Sequence, residues 1–201
     1  MKQVYYRQEA LEAIARRTLV KLDPSYLNAR PQPAPIEHLI EDIYQLCIEF
    51  KHLTNNGRVL GKTIFDNGYT PYYDTDRHQY ELLQVEKGTM LIDAALLAPD
   101  KLGRLRFTEA HELSHWIIHQ EIYAGTGEAA AFMSSDQDTA TEWQANVLAT
   151  YLLMPAGQVK RCFYQLSSQR MDRNAILEKM AETFCVSKKA MRIRLDTRGL
   201  C

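Results

Sequence analysis

A pentapeptide with two histidines limits most strongly what this chain can fold into. Residues 111–115 read H-E-L-S-H, so His111 and His115 are four positions apart and Glu112 follows the first of them. On a helix, four residues rise about 6 Å and the two imidazoles project from the same face. Two histidines so placed can bind one metal ion, and the glutamate beside them can remove a proton from a metal-bound water. The motif therefore predicts a helix that carries a metal centre.

The residues around this motif fall on two faces of the predicted helix. At 100° per residue, one face spans about a third of the circumference and is polar. Its members are Thr108, His111, Glu112, His115 and His119. The opposite face is apolar and consists of Ala110, Leu113, Trp116 and Ile117. This division predicts a buried back for the helix. An ordinary amphipathic helix with its histidines in water is the alternative, because the pentapeptide occurs in many unrelated chains.

A catalytic zinc ion usually has three protein ligands and leaves a fourth position for water. His119 continues the histidine row, but it lies eight residues beyond His111, a rise of about 12 Å. A single ion with bonds of about 2 Å does not bridge that distance on an intact helix. His119 is therefore expected to lie behind the ligands or at the surface.

Glu142 is the better candidate for the third ligand. It lies on a second predicted helix, residues 136–153, and its neighbours on the same face are mostly small. These neighbours are Ala145, Asn146, Ala149 and Leu153. Small residues let this helix approach another helix closely, as a shared metal site requires. The alternatives are that Glu142 is a surface carboxylate or that another acid is the ligand. The other acids, in or near predicted loops, are Glu121, Glu128, Asp136 and Asp138.

Charge and hydropathy exclude several classes of protein. The 201 residues carry a formal charge of -1, which indicates neither a nucleic-acid-binding protein nor a partner of anionic membranes. No apolar run approaches the roughly 18 residues of a membrane helix, and the first residues lack the apolar core of a signal peptide. A cytoplasmic location is therefore expected.

The four cysteines are far apart in the chain. They are Cys47, Cys162, Cys185 and Cys201. Without a C-x-x-C pair, they indicate neither a cysteine-ligated metal site nor a disulfide scaffold.

The remaining segments predict an α+β fold. Apolar spacing predicts further helices at residues 9–22, 35–46, 158–166, 173–184 and 187–195. Alternation predicts strands at residues 47–53, 58–65, 80–85 and 89–92. Because the turns between them are short, we expect a small, mainly antiparallel sheet of three to five strands. Two loops are predicted, at residues 69–78 and 124–135, the second a surface connection with a lid over the site as its alternative.

Two stretches together resemble a known family. They are R-F-T-E-A-H-E-L-S-H-W-I-I-H, ending at residue 119, and E-W-Q-A-N-V-L-A-T-Y-L-L-M-P, starting at Glu142. They resemble the ImmA/IrrE metallopeptidase motifs R-F-T-x-A-H-E-x-x-H and E-x-x-A-N-x-F-A-x-x-L-L-M-P. By this resemblance, His111, His115 and Glu142 are the metal ligands and Glu112 is the catalytic glutamate.

The chain departs from the family pattern at two positions. Leu148 stands where phenylalanine is usual, which is a core exchange. Ser114 stands where glycine is usual, beside a ligand, and is expected to leave the metal site intact.

The resemblance implies a zincin-like α+β fold and a function. The fold has a small mainly antiparallel sheet, an active-site helix, a glutamate helix and a helical C-terminal tail. We expect a single domain, 1–201, with an N-terminal helix and proline-rich connector (1–35), a catalytic core (36–155) and a helical C-terminal subdomain (156–201). The implied protein is a zinc endopeptidase with one Zn²⁺ per chain, or Mn²⁺ as an alternative. Family members cleave helix-turn-helix transcriptional repressors and thereby relieve repression.

Two other functions compete with peptide hydrolysis. The helix, turn and helix of residues 173–195, with basic residues after position 186, would suit a DNA-binding regulator. The favoured reading is a structural hairpin with four core positions, Ile176, Met180, Phe184 and Met191. A repressor-binding protein without protease activity is the second competitor, and the intact Glu112 argues against it.

The sequence does not decide two features of the predicted active site, the residue that stabilises the oxyanion and the strand that pairs with the substrate. The residue that stabilises the oxyanion could be Tyr123, His119 or Tyr151, although Tyr151 falls on the far side of its helix from Glu142. A strand such as residues 89–92 could pair with an extended substrate if its edge is free.

Overall fold

The computed structural model describes residues 5–124 and 139–200, which form seven helices and five strands. The helices are α1 (Gln8–Leu22), α2 (Ile36–His38, continued by a π-helical turn at Leu39–Ile43), α3 (Leu102–Tyr123), α4 (Thr139–Leu153), α5 (Ala156–Ser167), α6 (Arg173–Phe184) and α7 (Lys188–Thr197). The strands are β1 (Cys47–Lys51), β2 (Gly61–Thr63), β3 (Gly68–Asp74), β4 (Gln79–Val85) and β5 (Thr89–Asp93). The predicted α+β class is confirmed.

Helix α3 is buried on both of its faces. Its predicted apolar back is buried at Ala110 and Leu113, and its polar front is equally covered at Glu112, His115 and His119. Helix α4 packs against this front through small, fully buried residues. The exchange of phenylalanine for Leu148 leaves that position in the core as well, with no exposed surface. The histidine helix is therefore a central helix, which excludes the amphipathic surface alternative.

The main sheet has three strands in the order β1-β5-β2. Strand β2 is antiparallel to β5, with Gly61 opposite Ile92, but β1 is parallel to β5, with Cys47 opposite Thr89. The prediction of a mainly antiparallel sheet is confirmed, whereas the parallel pair was not predicted. Parallel neighbours require a long connection, and the chain leaves β1 for β2, β3 and β4 before it returns as β5.

Strands β3 and β4 form a separate antiparallel ribbon, with Tyr69 opposite Gln84 and Tyr73 opposite Tyr80. The prediction of a loop at residues 69–78 was therefore wrong for its first part. Tyrosine and threonine favour strands, and Pro71 is tolerated because β3 is an edge strand. The turn at 86–88 leads from β4 to β5, but these strands lie in different sheets. The short turn therefore did not predict correctly which strands pair.

One large core cluster contains residues from α1 and from α3 to α7, from Leu11 to Leu195. The division of the chain into segments 1–35, 36–155 and 156–201 stays a prediction, and this cluster has members in all three. None of the helices in the described ranges has both the length and the apolar character needed to cross a membrane.

The C-terminal helices α6 and α7 pack into this cluster. The four predicted core positions, Ile176, Met180, Phe184 and Met191, are buried. Side chains cap both helices: the Asp172 carboxylate accepts from the Asn174 amide at 2.8 Å, and the Ser187 hydroxyl accepts from the Ala190 amide at 3.1 Å. The predicted hairpin packing is thus confirmed.

Candidate metal centre

Helix α3 presents two histidines on one face, one turn apart. His111 Nε2 and His115 Nε2 lie 3.1 Å from each other, with ring centroids 4.7 Å apart. Such proximity follows from the four-residue spacing on a continuous helix. The predicted pairing of these side chains is what the structure shows.

Helix α4 brings the carboxylate of Glu142 to the same point. Its oxygens lie 3.3 Å from His111 Nε2 and 3.2 Å from His115 Nε2. Ala145 and Ala149 are fully buried between the helices, and their small size permits this close approach. The sequence pattern therefore identified a carboxylate that the tertiary structure does bring to the histidines.

The three groups have the spacing that a tetrahedral metal site needs. Zinc bonds to nitrogen and oxygen of about 2.0–2.1 Å place neighbouring ligand atoms about 3.3 Å apart. The observed separations of 3.1–3.3 Å match this edge length. Among the described residues, His111, His115 and Glu142 are the group of this kind that could hold a metal ion. Two imidazoles and one carboxylate leave a fourth position for water or substrate.

Electrostatics favour a charged carboxylate here. Burial opposes the ionised form of Glu142, but hydrogen bonds from His111 and His115 outweigh it and hold the Glu142 pKa well below its ordinary value. Burial likewise opposes protonation of His111, yet the hydrogen bond to Glu142 and the charge of Glu112 raise the His111 pKa. A cation shared by these groups would replace the protons that now link them.

Glu112 is held from the neighbouring strand β2. The Thr63 hydroxyl lies 2.7 Å from Glu112 Oε2 and 3.0 Å from the Glu112 carbonyl oxygen. Glu112 is buried, with 7% of its surface exposed, so this contact sets the direction of the carboxylate. Sequence reasoning missed Thr63, because a single threonine in a strand carries no signal for a partner 49 residues away.

Gly61 lets strand β2 pass directly over Glu112. A Cβ atom at Gly61 would lie 2.4 Å from Glu112 Oε1, closer than any real contact. A glycine inside a strand often marks such a close approach, so this signal was present in the sequence.

His119 lies behind His115. It is fully buried, and its Nδ1 atom is 3.0 Å from His115 Nδ1, on the ring edge away from Nε2. Burial, and after it the nearby His115, lower the His119 pKa to about 3, so this imidazole is neutral. Of the two predicted locations for His119, the one behind the ligands is therefore correct and the surface is wrong.

The structure narrows the candidates for the oxyanion-stabilising residue. Tyr151 packs over the guanidinium of Arg194, at 4.2 Å, on the far side of α4 as predicted, and His119 lies behind His115. Tyr123 is the last residue of α3, with its hydroxyl 3.4 Å from Thr141 Oγ1 of α4 and its ring centroid 6.4 Å from that of His115. Of the two tyrosine candidates, Tyr123 is the one that lies near His115.

The positions of residues in the fold decide two other predictions, on the substrate-pairing strand and on the rival acidic ligand Glu121. Strand β5, residues 89–92, is the central strand, so its edges are covered and the suggested pairing with substrate is wrong. Glu121 is exposed on α3 and takes no part in the group of three. The rival acids Glu128, Asp136 and Asp138, and residues 125–135 of the predicted loop, lie outside the described residues.

The fold and the site together define a class. A helix with H-E-x-x-H, joined by a glutamate from the next helix and covered by a small sheet, is the arrangement of a zincin-like metallopeptidase domain.

Comparison with known protein families agrees with this assignment to the zincin-like metallopeptidases. Residues 60–196 match the family model of the M78 peptidases, the IrrE N-terminal-like domain. The match spans more than half of the chain, and the chain belongs to this family, which confirms the resemblance seen in the motifs. No curated protein matches the chain.

Proposed function

We propose that this protein is a zinc-dependent endopeptidase that cleaves a helix-turn-helix transcriptional repressor and so relieves repression. The observation that carries the proposal is the convergence of His111, His115 and Glu142 within 3.1–3.3 Å, with Glu112 held beside them. Membership of the metallopeptidase family supports the reaction, and the repressor is the substrate class that the family resemblance suggests.

Each side chain of the site has a role in this proposal. A zinc ion held by His111, His115 and Glu142 would supply Lewis acidity, which would lower the pKa of water to about 7 and polarise the scissile carbonyl. Glu112 accepts the proton of the attacking water and later delivers it to the leaving amine. Thr63 holds Glu112 Oε2, so Oε1, which lies against Gly61, is the oxygen that exchanges the proton.

Strand β2 supplies the place for an extended substrate. It is the last strand of the β1-β5-β2 sheet, and in the described ranges no other strand pairs with its outer edge. A substrate strand added to this edge would pass over Gly61 and Thr63, next to Glu112. This replaces the covered strand β5 as the proposed pairing partner.

Packing of the C-terminal helices supports hydrolysis over the DNA-binding alternative. Of the basic residues after position 186, Lys188 pairs with Glu178, while Arg194 and Arg198 both pair with Glu12. These pairs and the buried apolar positions explain the segment as part of the fold. We therefore expect no binding of a labelled DNA duplex.

The test uses a helix-turn-helix regulator encoded beside the gene for this chain. Wild-type protein loaded with zinc is expected to cut the regulator at one position, detected as two fragments by mass spectrometry. Glu112→Gln is expected to keep its zinc but lose cleavage by about 10²–10⁴-fold, because the proton acceptor is gone. If Glu112→Gln relieved repression as fully as the wild type, the function would be binding rather than hydrolysis.

A further inference from the structure

A groove of about 690 Å³ runs along the protein between α3, α4 and α7. We call it the α3–α4–α7 groove. Its volume is within the range of about 300–1,000 Å³ that is typical of ligand pockets. None of the roles proposed above uses it.

The groove lies beside the metal centre, although His111, His115 and Glu142 do not line it. Asn146 lines it and also interacts with the His111 imidazole. Phe107 lines it one helical turn before His111, and Trp143 lines it directly after Glu142. Anything that binds along the groove therefore ends beside the two helices that carry the proposed ligands.

The floor of the groove is apolar and open to solvent. It is formed by Phe107, Trp143, Val147 and Ile193, and Ile193 has 51% of its surface exposed. The adjacent Arg194 anchors helix α7, because it is buried and donates to the Met154 carbonyl oxygen at 3.0 Å. Ile193 is not an isolated exposed residue, because it shares the lining with three other large apolar side chains, and such a contiguous apolar patch is typical of an interaction site.

The rim of the groove is positively charged. Arg104 and Lys189 are the charged residues of its lining, and both are exposed. Neither side chain forms an ion pair within the described part of the chain, unlike Lys188 and Arg198 nearby. An apolar floor with a basic rim is complementary to a segment that carries bulky apolar and acidic side chains.

We propose that the α3–α4–α7 groove selects the substrate by binding the polypeptide on one side of the scissile bond. A bulky apolar side chain lies on Phe107, Val147 and Ile193, and an acidic side chain pairs with Arg104 and Lys189. This inference rests on the proposed function, since the groove reaches a scissile bond only if the metal centre cuts peptides. A DNA backbone is bound through many lysine and arginine contacts, whereas this lining has two basic residues beside an apolar floor, which suits a polypeptide better.

Cleavage profiling tests the groove. A proteome-derived peptide library is digested by the wild type and by Ile193→Glu and Arg104→Glu, and the cut positions are read by mass spectrometry. We expect Ile193→Glu to reduce cleavage of peptides with a bulky apolar residue at one fixed position by about ten- to hundredfold. Arg104→Glu is expected to shift the preference at a second position from acidic to basic. Arg192→Glu, an exposed neighbour on α7 outside the groove, is the matched control and keeps the wild-type profile.

A binding measurement separates this inference from the proposed function. The same library is passed over immobilised, zinc-loaded Glu112→Gln protein, with and without Ile193→Glu added. Retention of apolar and acidic peptides that Ile193→Glu abolishes would support the groove even if the wild type cuts nothing, and only the protease would then be rejected. Cleavage with a profile that neither groove variant alters would overturn the groove and leave the protease. Absence of both cleavage and retention would overturn the groove as well.

A second copy of this chain is the remaining possible occupant of the groove to test. Sedimentation of the wild type and of Ile193→Glu is expected to give the same mass. A dimer that Ile193→Glu dissociates, with an unchanged cleavage profile, would show that the groove binds a second copy and would contradict the proposal.

Discussion

Two polar clusters lie against helix α4, one at each end, and they differ in the source of their positive charge. At the N-terminal end, Glu142 meets His111 and His115 at 3.2–3.3 Å. At the C-terminal end, the guanidinium of Arg194 donates to the Met154 carbonyl oxygen at 3.0 Å and to Glu12 at 3.3 Å. In the second cluster the chain supplies its own cation.

This difference separates a structural cluster from a functional one. Arg194 is only 1% exposed, and its charge is balanced by Glu12 and by the face of the Tyr151 ring, so the cluster is complete without a ligand. At the first cluster, no lysine or arginine of the described residues pairs with Glu142. Two imidazoles and a carboxylate that converge without a lysine or arginine of the described residues are suited to an external metal ion.

The largest expected effect is loss of the metal from the first cluster. Glu142→Ala removes one of the three proposed ligands, and we expect zinc to fall from one ion per chain to almost none. Metal content is measured by mass spectrometry after zinc loading and dialysis. Glu121→Ala, at an exposed acid of α3 outside the group of three, is the control and should retain its zinc. Full zinc occupancy in Glu142→Ala would refute the three-ligand site.

The converse substitution, at Arg194, disrupts the cluster at the C-terminal end of α4 and leaves the histidine cluster intact. Arg194→Met removes the donor to the Met154 carbonyl and the stacking on Tyr151. We expect the free energy of unfolding of the metal-free protein to fall by about 2–4 kcal/mol. Denaturant unfolding measures it, and Arg192→Met, which replaces an exposed neighbour, should change it by less than about 0.5 kcal/mol. Loss of zinc from folded Arg194→Met would show that the clusters are coupled through α4.

Lys62 is, after Arg194, a second buried cation of the chain, and its stability effect depends on pH. Its ammonium donates to the Pro71 carbonyl oxygen at 2.9 Å, and burial lowers the Lys62 pKa from 10.5 to about 8. Below pH 8 the lysine is charged in both the folded and the unfolded protein, and the free-energy cost of burying the charge is present in full. Between pH 8 and 10.5 the folded protein releases the proton while the unfolded chain keeps it, so stability rises with pH.

We therefore expect the stability of the wild type relative to Lys62→Met to increase by about 3 kcal/mol between pH 7 and 11. Denaturant unfolding at a series of pH values gives this difference. Lys87→Met, which replaces an exposed lysine, provides the control. A flat difference for Lys62→Met would mean that its ammonium is solvated in the folded protein.

The smallest effect concerns the orientation of a ligand. His119 contacts His115 Nδ1 at 3.0 Å and so fixes the imidazole whose Nε2 faces the site. His119→Ala is expected to weaken zinc binding by about tenfold or more, as loss of groups that orient metal ligands does. Competition with a chelating dye measures the affinity, and His78→Ala at an exposed position serves as control. An unchanged affinity would assign His119 to packing alone.

Local periodicity explains how much of the site could be predicted. The four-residue spacing places His111 and His115 together on any continuous helix, and the small residues near Glu142 indicated a close helix contact. Thr63 and Gly61 were not predicted as parts of the site, because their contacts with Glu112 depend on a strand docking onto a helix about 50 residues away in sequence. The parallel pairing of β1 with β5 was not predicted for the same reason, because turn residues indicate only how segments adjacent in sequence are connected.

The sequence by itself determined the helices, the pair of histidines, the candidate glutamates and the family. These follow from spacings of three, four and seven residues and from short motifs, which local geometry converts directly into positions on a helix. The tertiary structure alone decided that Glu142 reaches the histidines, that Thr63 directs Glu112, and that Arg194 rather than a ligand neutralises the far end of α4. Those outcomes depend on how separate elements pack, and packing is set by the whole core rather than by any one stretch of the chain.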